Sequence, residues 1–407
     1  MIIYGLAFMI TKFRAERAVL PSDGAMVWVV VDGDYGLHAE ACAFLAGLRA
    51  LDRSVNTERV YAGRVAIFLS WCAAEGLDWT APRLDHLVRF KRWLVAEPLP
   101  IRSHTGTGAR RYRSPGTADA VLGTMCEFLR FCARHDLIDP GLVRRLHEPR
   151  HIRFLPPGYE AGEDEQFRTV RSRALRFATT EIPFAFLEPD QIAPLVAAAT
   201  NPRDRCLAAL IAMTGIRIGE ALGLHRQDMH LLANSRSLGC PIAGPHLHVR
   251  RRPGNDNGAL AKSRFPRTIP VPAEAIGLYA DYMHERAHRL TGADVDADVE
   301  ENPLVFVNLY RAPLGRGLGY QNVKEMFDRL AATTGLTVRP HLLRHTAATT
   351  WLHQGTPRDT VQQLLGHASP VSMQPYLHPD DADKRAAVET GAAWARTSAQ
   401  TSARGSL

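Results

Sequence analysis

The chain has 407 residues, of which 46% are hydrophobic and 22% charged. The length allows two or three domains, and the composition is that of a globular protein with a core, which excludes collagen-like, coiled-coil and wholly disordered chains. No apolar run approaches the ~18–20 residues that cross a bilayer, and residues 1–11 lack the basic start and cleavage site of a secretory signal. We therefore expect no membrane association.

The cysteines indicate a reducing compartment. Each stands alone in an apolar stretch, and no two form a CxxC pair. This pattern is typical of buried reduced thiols in a cytoplasmic protein and does not predict a zinc or disulfide framework. The six positions are Cys42, Cys72, Cys126, Cys132, Cys206 and Cys240.

Positive charge is concentrated in one part of the chain. Lys and Arg total 49 against 42 Asp and Glu, which gives a net charge of +7. Residues 101–176 contain many arginines and no lysine, and arginine suits bidentate contacts with phosphate. Charge alone is equally compatible with a solvated basic face. The candidate DNA-binding residues in this stretch are Arg102, Arg110, Arg111, Arg113, Arg144 and Arg145.

Helical periodicity dominates the first part of the chain. Residues 25–34 predict a strand that ends in a turn, while the rest of segment 1–35 gives no clear signal, and its role stays open. Over 36–150, apolar residues recur at helical spacing in four stretches, which predicts a small bundle of amphipathic helices. The polar loop 102–116 separates the third helix from the fourth.

A second domain is expected after a linker. Residues 151–184 are charged and contain prolines, which predicts a linker, and residues 185–396 return to helical periodicity. Within this domain, alternation on both sides of Asn257-Gly258 predicts an antiparallel hairpin or a three-stranded sheet. The composition of residues 397–407 predicts a disordered tail.

Two cationic residues of the second domain stand at unusual positions. Arg217, in TGIRIGEALGLH, lies at the start of an apolar helix, where a charge is awkward to bury. Lys262, in AKSRFPRTIPVP, is expected on the strand that leaves the Asn-Gly turn, where it could donate a proton. A surface arginine and an exposed edge-strand lysine are the plain alternatives.

A third stretch, RPHLLRHTAATTWLHQGTPRDTVQQLLGHASPVSMQPYLH, is the most informative. Pro340 suits the first position of a helix and Gly355 the position after its end, which predicts a helix over 341–354. His341 and Arg344 are three residues apart and therefore share one face of that helix.

The same stretch raises the question of a metal site. His345 stands four residues after His341, but the metalloprotease signature needs Glu after the first histidine, where this chain has Leu342. No metal site is therefore predicted. A second short helix then leads to His367, and Tyr376 comes nine residues later.

This set of two arginines, two histidines, a lysine and a tyrosine favours one chemistry. No carboxylate pair stands out, which disfavours glycosidase-type hydrolysis and magnesium-dependent nuclease chemistry. Phosphodiester transfer to a tyrosine fits, because guanidinium groups can neutralise the transition state. The phenol needs a base or a cationic environment, and the leaving hydroxyl needs an acid, which His and Lys can supply.

These motifs resemble the tyrosine recombinase (phage integrase) family. HLLRHT, QQLLGH and YLH match the carboxy-terminal family pattern at its spacings, and GIRIGEALGL matches the upstream pattern. The resemblance is strong over the second domain, and the helical segment before it is similar in size and position to the family's core-binding domain. It implies a mainly α fold with a small antiparallel β-sheet in the catalytic domain. A helical, SAM-like core-binding domain and an α+β catalytic domain would form a C-shaped clamp on DNA.

The resemblance also implies a role for each motif residue. The two arginines would clamp the phosphate, the lysine would be the general acid, and the first histidine would assist proton transfer at the nucleophile. The second histidine would hydrogen-bond the scissile phosphate, and the tyrosine would form the 3′-phosphotyrosine bond. Glu220 is expected to support Arg217 as an ion partner. The catalytic residues so implied are Arg217, Lys262, His341, Arg344, His367 and Tyr376.

The implied function is that of a site-specific DNA recombinase, the integrase or transposase of a mobile element. Its substrate would be double-stranded DNA, its synaptic complex a homotetramer, and its reaction free of metal, ATP and other cofactors. Accessory proteins stay open. The alternatives are a type IB topoisomerase-like strand transferase and a DNA-binding relative that has lost catalysis, which would show a replaced arginine or tyrosine.

Overall fold

The computed structural model describes residues 12–99, 110–152, 168–178, 185–263, 265–291 and 301–366. These residues divide into two compact units, the first ending at residue 178 and the second beginning at residue 185. Both are mostly helical with small antiparallel sheets. The helical content of both units and the sheet of the second unit are as predicted, whereas the two small sheets of the first unit were not predicted. Within the described part of the chain, no helix is both long enough and apolar enough to cross a bilayer.

The first unit is a bundle of helices. Two long helices begin at serine caps: the Ser54 hydroxyl accepts a hydrogen bond from the backbone N–H of Thr57, and Ser114 accepts one from Thr117, which satisfies donors that the helix leaves unpaired. Aromatic side chains, Phe68, Phe90 and Phe128 among them, fill the core. The helices are α1 (Ala39–Ala50), α2 (Val55–Ala74), α3 (Leu84–Ala96), α4 (Pro115–Arg134) and α5 (Pro140–Arg145).

A strand pair precedes these helices. β1 (Arg14–Val19) and β2 (Met26–Val31) are antiparallel, which confirms the strand predicted within residues 25–34. The backbone N–H of Phe13 donates to the Ser70 hydroxyl of α2 at 2.9 Å. Residues 12–35, whose role the sequence left open, are therefore part of the helical unit.

Part of the expected linker over 151–184 also belongs to the first unit. β3 (His147–His151) pairs antiparallel with β4 (Thr169–Arg173). Leu175 is buried in the core of the unit, and Phe177 packs against it. The unit therefore extends past its expected end at residue 150, because apolar side chains in the charged segment complete its core.

The second unit contains a three-stranded antiparallel sheet and seven described α-helices. The strands β5 (Met229–His230), β6 (His246–Val249) and β7 (Arg267–Pro270) are paired in that order, which confirms the predicted sheet. The helices are α6 (Pro189–Ala197), α7 (Pro202–Thr214), α8 (Ile218–Leu222), α9 (Ala273–Thr291), α10 (Tyr320–Thr334), α11 (Pro340–His353) and α12 (Arg358–Leu365).

The connection between β6 and β7 differs from the prediction. Asn257 and Gly258 form a tight turn, closed by the hydrogen bond from the Gly258 N–H to the Asn255 carbonyl at 2.9 Å, but this turn does not join paired strands, because β6 ends at Val249 and β7 begins at Arg267. The Asn257 side-chain amide donates to the carbonyl oxygens of Leu222 at 3.0 Å and Leu318 at 3.1 Å. These bonds tie a long loop to the end of α8. Lys262 lies in this loop, ahead of β7, so the prediction that it lies on a strand is wrong.

Candidate active site

Three arginines meet at the carboxyl end of α12. Arg344 of α11 donates to the carbonyl oxygen of Leu365 at 2.7 Å, and Arg217 donates to the same oxygen at 3.1 Å. Arg267, at the start of β7, donates to the neighbouring carbonyl of Leu364 at 2.9 Å. The last carbonyls of a helix have no partner within it and carry the negative end of its dipole, so cations stabilise them.

Two glycines make this approach possible. Gly215 ends α7 with φ +61°, and a Cβ there would lie 3.1 Å from the Trp351 ring. Its carbonyl accepts a second hydrogen bond from Arg344 at 2.5 Å. Gly366 ends α12, also at φ +61°, and a Cβ there would lie 2.7 Å from the Arg267 guanidinium. A side chain at either position would meet both backbone strain and a close neighbour.

Glu220 holds two of these arginines. Its carboxylate accepts hydrogen bonds from the Arg217 guanidinium at 2.9 Å and from both Arg267 Nη atoms at 3.1 and 2.7 Å. Burial acts to raise the pKa of Glu220, but the hydrogen bonds and positive charges of Arg267 and Arg217 outweigh it and lower the pKa below its ordinary value. The expected ion pair between Glu220 and Arg217 is confirmed.

His341 lies close to the same cations. Partial desolvation of its ring is the main cause that lowers its pKa, followed by the positive charges of Arg344, Arg217 and Lys262. The imidazole is therefore neutral at neutral pH, the form that accepts a proton. The ring of His345 lies edge-on to it, with 4.1 Å between centroids.

The structure thus brings together four of the six residues that the motifs single out, namely Arg217, Lys262, His341 and Arg344. His367 and Tyr376 lie outside the described residues. His367 is nevertheless the next residue in the chain after Gly366, whose own position is fixed against Arg267.

Sequence reasoning gave Arg267 no role. Its ion pair with Glu220 joins residues 47 positions apart, and no local spacing reports such a contact. The available signal was an arginine at the start of a strand pattern, beside a candidate catalytic lysine.

The candidate DNA-binding arginines of the first unit fall into two groups. Arg113 is half-buried, with its guanidinium 5.2 Å above the Trp93 ring and a hydrogen bond to the Leu94 carbonyl, so it supports the fold. Arg102 lies outside the described residues. The exposed group is Arg110, Arg111, Arg144 and Arg145.

A basic groove of about 600 Å³ opens near Arg144. Burial and the positive charges of Arg130, Arg171 and Arg173 lower the pKa of His147 in its wall, against a hydrogen bond to a backbone carbonyl that raises it. Such a field attracts anions. The polar lining residues are Arg130, Arg134, Arg144, His147, Arg171 and Arg173.

Comparison with known proteins identifies the family. Residues 185–383 match the model of the phage integrase family. The second domain of this chain therefore belongs to the phage integrase family of tyrosine recombinases.

Curated relatives agree with this assignment. Transposase A from transposon Tn554 of Staphylococcus aureus is 24% identical over 378 residues, which cover 91% of this chain and 96% of the transposase. Tyrosine recombinase XerC of Chlamydia trachomatis is 26% identical over 280 residues, which cover 68% of this chain and 71% of XerC.

Solved structures of integrases show the same fold. The Tn1549 transposon integrase in complex with circular intermediate DNA has a TM-score of 0.54 at 16% identity, covering 86% of this chain and 98% of that one. A lambda integrase dimer bound to a COC′ core site has a TM-score of 0.52 at 15% identity, covering 84% and 95%.

The His341 environment makes a testable prediction. Lys262→Met removes one of the positive charges that lower the pKa of His341, so that pKa should rise in the variant. Histidine NMR titration, with the His341 signal assigned by its loss in His341→Gln, measures the change.

Lys324→Met is the matched control, because Lys324 is exposed on α10 and pairs with Asp328. It should leave the His341 titration unchanged. A His341 pKa at or above the ordinary value of about 6.5 in the unmodified protein contradicts the described environment.

Proposed function

We propose that this chain is a site-specific DNA recombinase, the integrase or transposase of a mobile element, which cuts and rejoins duplex DNA through a 3′-phosphotyrosine bond. The convergence of Arg217 and Arg344 on one carbonyl oxygen, with His341 and Lys262 close by, carries the proposal. The family assignment and the names of the relatives, a transposase and a tyrosine recombinase, support it.

The two arginines would bind the scissile phosphate. Arg217 and Arg344 approach one point from different helices, so their guanidinium groups can donate to the two non-bridging oxygens of a single phosphate. Charge-assisted donors of this kind stabilise the extra negative charge of a pentavalent transition state. His367, which follows Gly366 in the chain, would add a further donor to the same phosphate.

Proton transfer would use the remaining residues. The Tyr376 oxygen attacks phosphorus as its proton passes to neutral His341, and a P–O bond to tyrosine forms while the P–O5′ bond breaks. Lys262 gives a proton to the leaving 5′ oxygen. Rejoining reverses these steps: a 5′ hydroxyl attacks the phosphotyrosine and the tyrosine leaves.

The reaction would need neither ATP nor a metal ion. The phosphotyrosine bond keeps the energy of the phosphodiester that it replaces. Two guanidinium groups and an ammonium supply the positive charge that a divalent cation provides in metal-dependent enzymes.

The domain layout and partners follow from the same proposal. The first unit, which includes β4 and Leu175 from the expected linker 151–184, would be the core-binding domain, and residues 185–396 would be the catalytic domain. The two domains would close as a C-shaped clamp on duplex DNA, and four chains would form the synaptic complex. The cytoplasm would be its compartment, where the six free cysteines stay reduced.

The two alternatives have less support. A type IB topoisomerase-like transferase would share the chemistry, but the curated relatives are named transposase and tyrosine recombinase. A silent DNA-binding relative is disfavoured because all six motif residues are present.

The nucleophile provides the most direct test of function. Tyr376→Phe should keep duplex binding and lose covalent adduct formation on a nicked suicide substrate, because phenylalanine has no attacking oxygen. Denaturing gel electrophoresis detects the adduct.

Tyr320→Phe is the control, since Tyr320 is exposed at the start of α10, and it should form the adduct normally. An adduct in Tyr376→Phe would show that another residue attacks and would reject the assignment.

The exposed arginines of the first unit lead to a salt-dependence prediction. Each neutralised phosphate contributes about −0.9 to the slope of log K against log salt on duplex DNA. Replacing Arg110 and Arg111 with Ala should flatten that slope by roughly two units. Specific and non-specific sites should weaken alike, because phosphate contacts do not read bases.

The matched control replaces Arg59 and Arg83, which are also exposed but hydrogen-bond to Asn56 and Asp85. Fluorescence anisotropy over a salt series measures all variants. Equal slopes for both double variants and the unmodified protein would place the DNA contacts elsewhere.

A further inference from the structure

A second group of reactive side chains lies in the three-stranded sheet. His230 on β5 is directly opposite His246 on β6, and His248 is two residues further along β6, so it shares the face of His246. The loop between these strands turns at Gly239, with φ +74°, and brings Cys240 to the same face.

The spacing of these four side chains suits one metal ion. The Cys240 sulfur lies 3.3 Å from Nε2 of His246 and 3.6 Å from Nε2 of His248, and all four ligand atoms lie within 4.8 Å of one another. Tetrahedral zinc, with Zn–S about 2.3 Å and Zn–N about 2.0–2.1 Å, places sulfur and nitrogen roughly 3.5 Å apart.

The other nitrogen of each histidine is oriented as in a metal site. Nδ1 of His246 contacts the Gly244 carbonyl at 2.7 Å, and Nε2 of His230 contacts the Gln227 carbonyl at 3.2 Å. A carbonyl only accepts, so these nitrogens carry the protons, and the facing nitrogens present lone pairs. Nδ1 of His248 lies 3.4 Å from the Thr268 hydroxyl.

One of those lone pairs lacks a hydrogen bond. Nδ1 of His230 is buried and has no hydrogen-bond partner among the described residues. A buried polar atom left unsatisfied costs free energy, which a bound cation would remove.

We propose that His230, Cys240, His246 and His248 bind one zinc ion in a closed structural site. A thiolate and three imidazoles suit zinc and not magnesium or calcium. Four protein ligands, with Cys240 and His246 buried, leave no open position for substrate. The sequence analysis predicted no zinc framework, because these ligands follow none of the usual zinc spacings.

The site would stabilise the sheet that supports the arginine cluster. The metal would join β5, β6 and the loop between them. β6 pairs with β7, where Val249 is opposite Arg267, and Arg267 binds Glu220. The zinc ion would hold this framework and take no part in strand transfer.

Metal content of the purified full chain tests the proposal. After incubation with zinc and gel filtration, mass spectrometry should find one zinc per chain, and Cys240→Ser and His246→Gln should reduce it to near zero. Cys206→Ala and His284→Gln, a buried thiol and an exposed imidazole elsewhere in the second unit, should keep one zinc.

Cobalt substitution decides the case even where a variant folds poorly. Cobalt bound to the unmodified protein should show a thiolate charge-transfer band, and a chelator should remove the band and lower the melting temperature. An unmodified chain that retains no zinc, a cobalt spectrum without the thiolate band, or full zinc in Cys240→Ser would each overturn the proposal.

Discussion

The carbonyl oxygen of Leu365 is the acceptor around which the arginines of the second unit are arranged. It accepts hydrogen bonds from Arg217 and Arg344, which arrive from separate helices, and the preceding carbonyl binds Arg267 from the sheet. The negative end of the α12 dipole therefore holds three arginines that are far apart in the sequence. The Arg267 guanidinium also lies against Gly366, the residue that ends α12.

This arrangement carries an excess of positive charge that has a functional consequence. Glu220 is the carboxylate that pairs with Arg217 and Arg267, and removing one partner of such a buried network costs about 3–5 kcal/mol. Among the described residues, Arg217 and Arg267 share this one carboxylate, which leaves a net positive charge on the group of three. In our account a phosphodiester of DNA neutralises that charge. The arginines then stabilise the transition state, which carries more negative charge than the substrate phosphate.

The sequence predicted the local features well and the long-range ones poorly. Pro340 and Gly355 fix the ends of α11 within one residue, because caps act locally. The turn at Asn257 forms, but it lies within a long loop and not between paired strands, because its side-chain amide bonds carbonyls that the tertiary fold brings close. Arg267 and the His–Cys cluster were missed for the same reason: their partners come from the tertiary fold, which single-sequence spacing does not report.

A neutral substrate analogue tests most directly whether Arg217 acts on the charge of the scissile phosphate. Arg217→Ala should cleave a phosphodiester about 10²–10³-fold more slowly, yet recover much of its rate on DNA with an uncharged methylphosphonate at the cleavage position. Arg311→Ala, at a highly exposed arginine, should cleave both substrates like the unmodified protein. If Arg217→Ala keeps its melting temperature and DNA binding but is equally slow on both substrates, the arginine does not neutralise the phosphate and the account is contradicted.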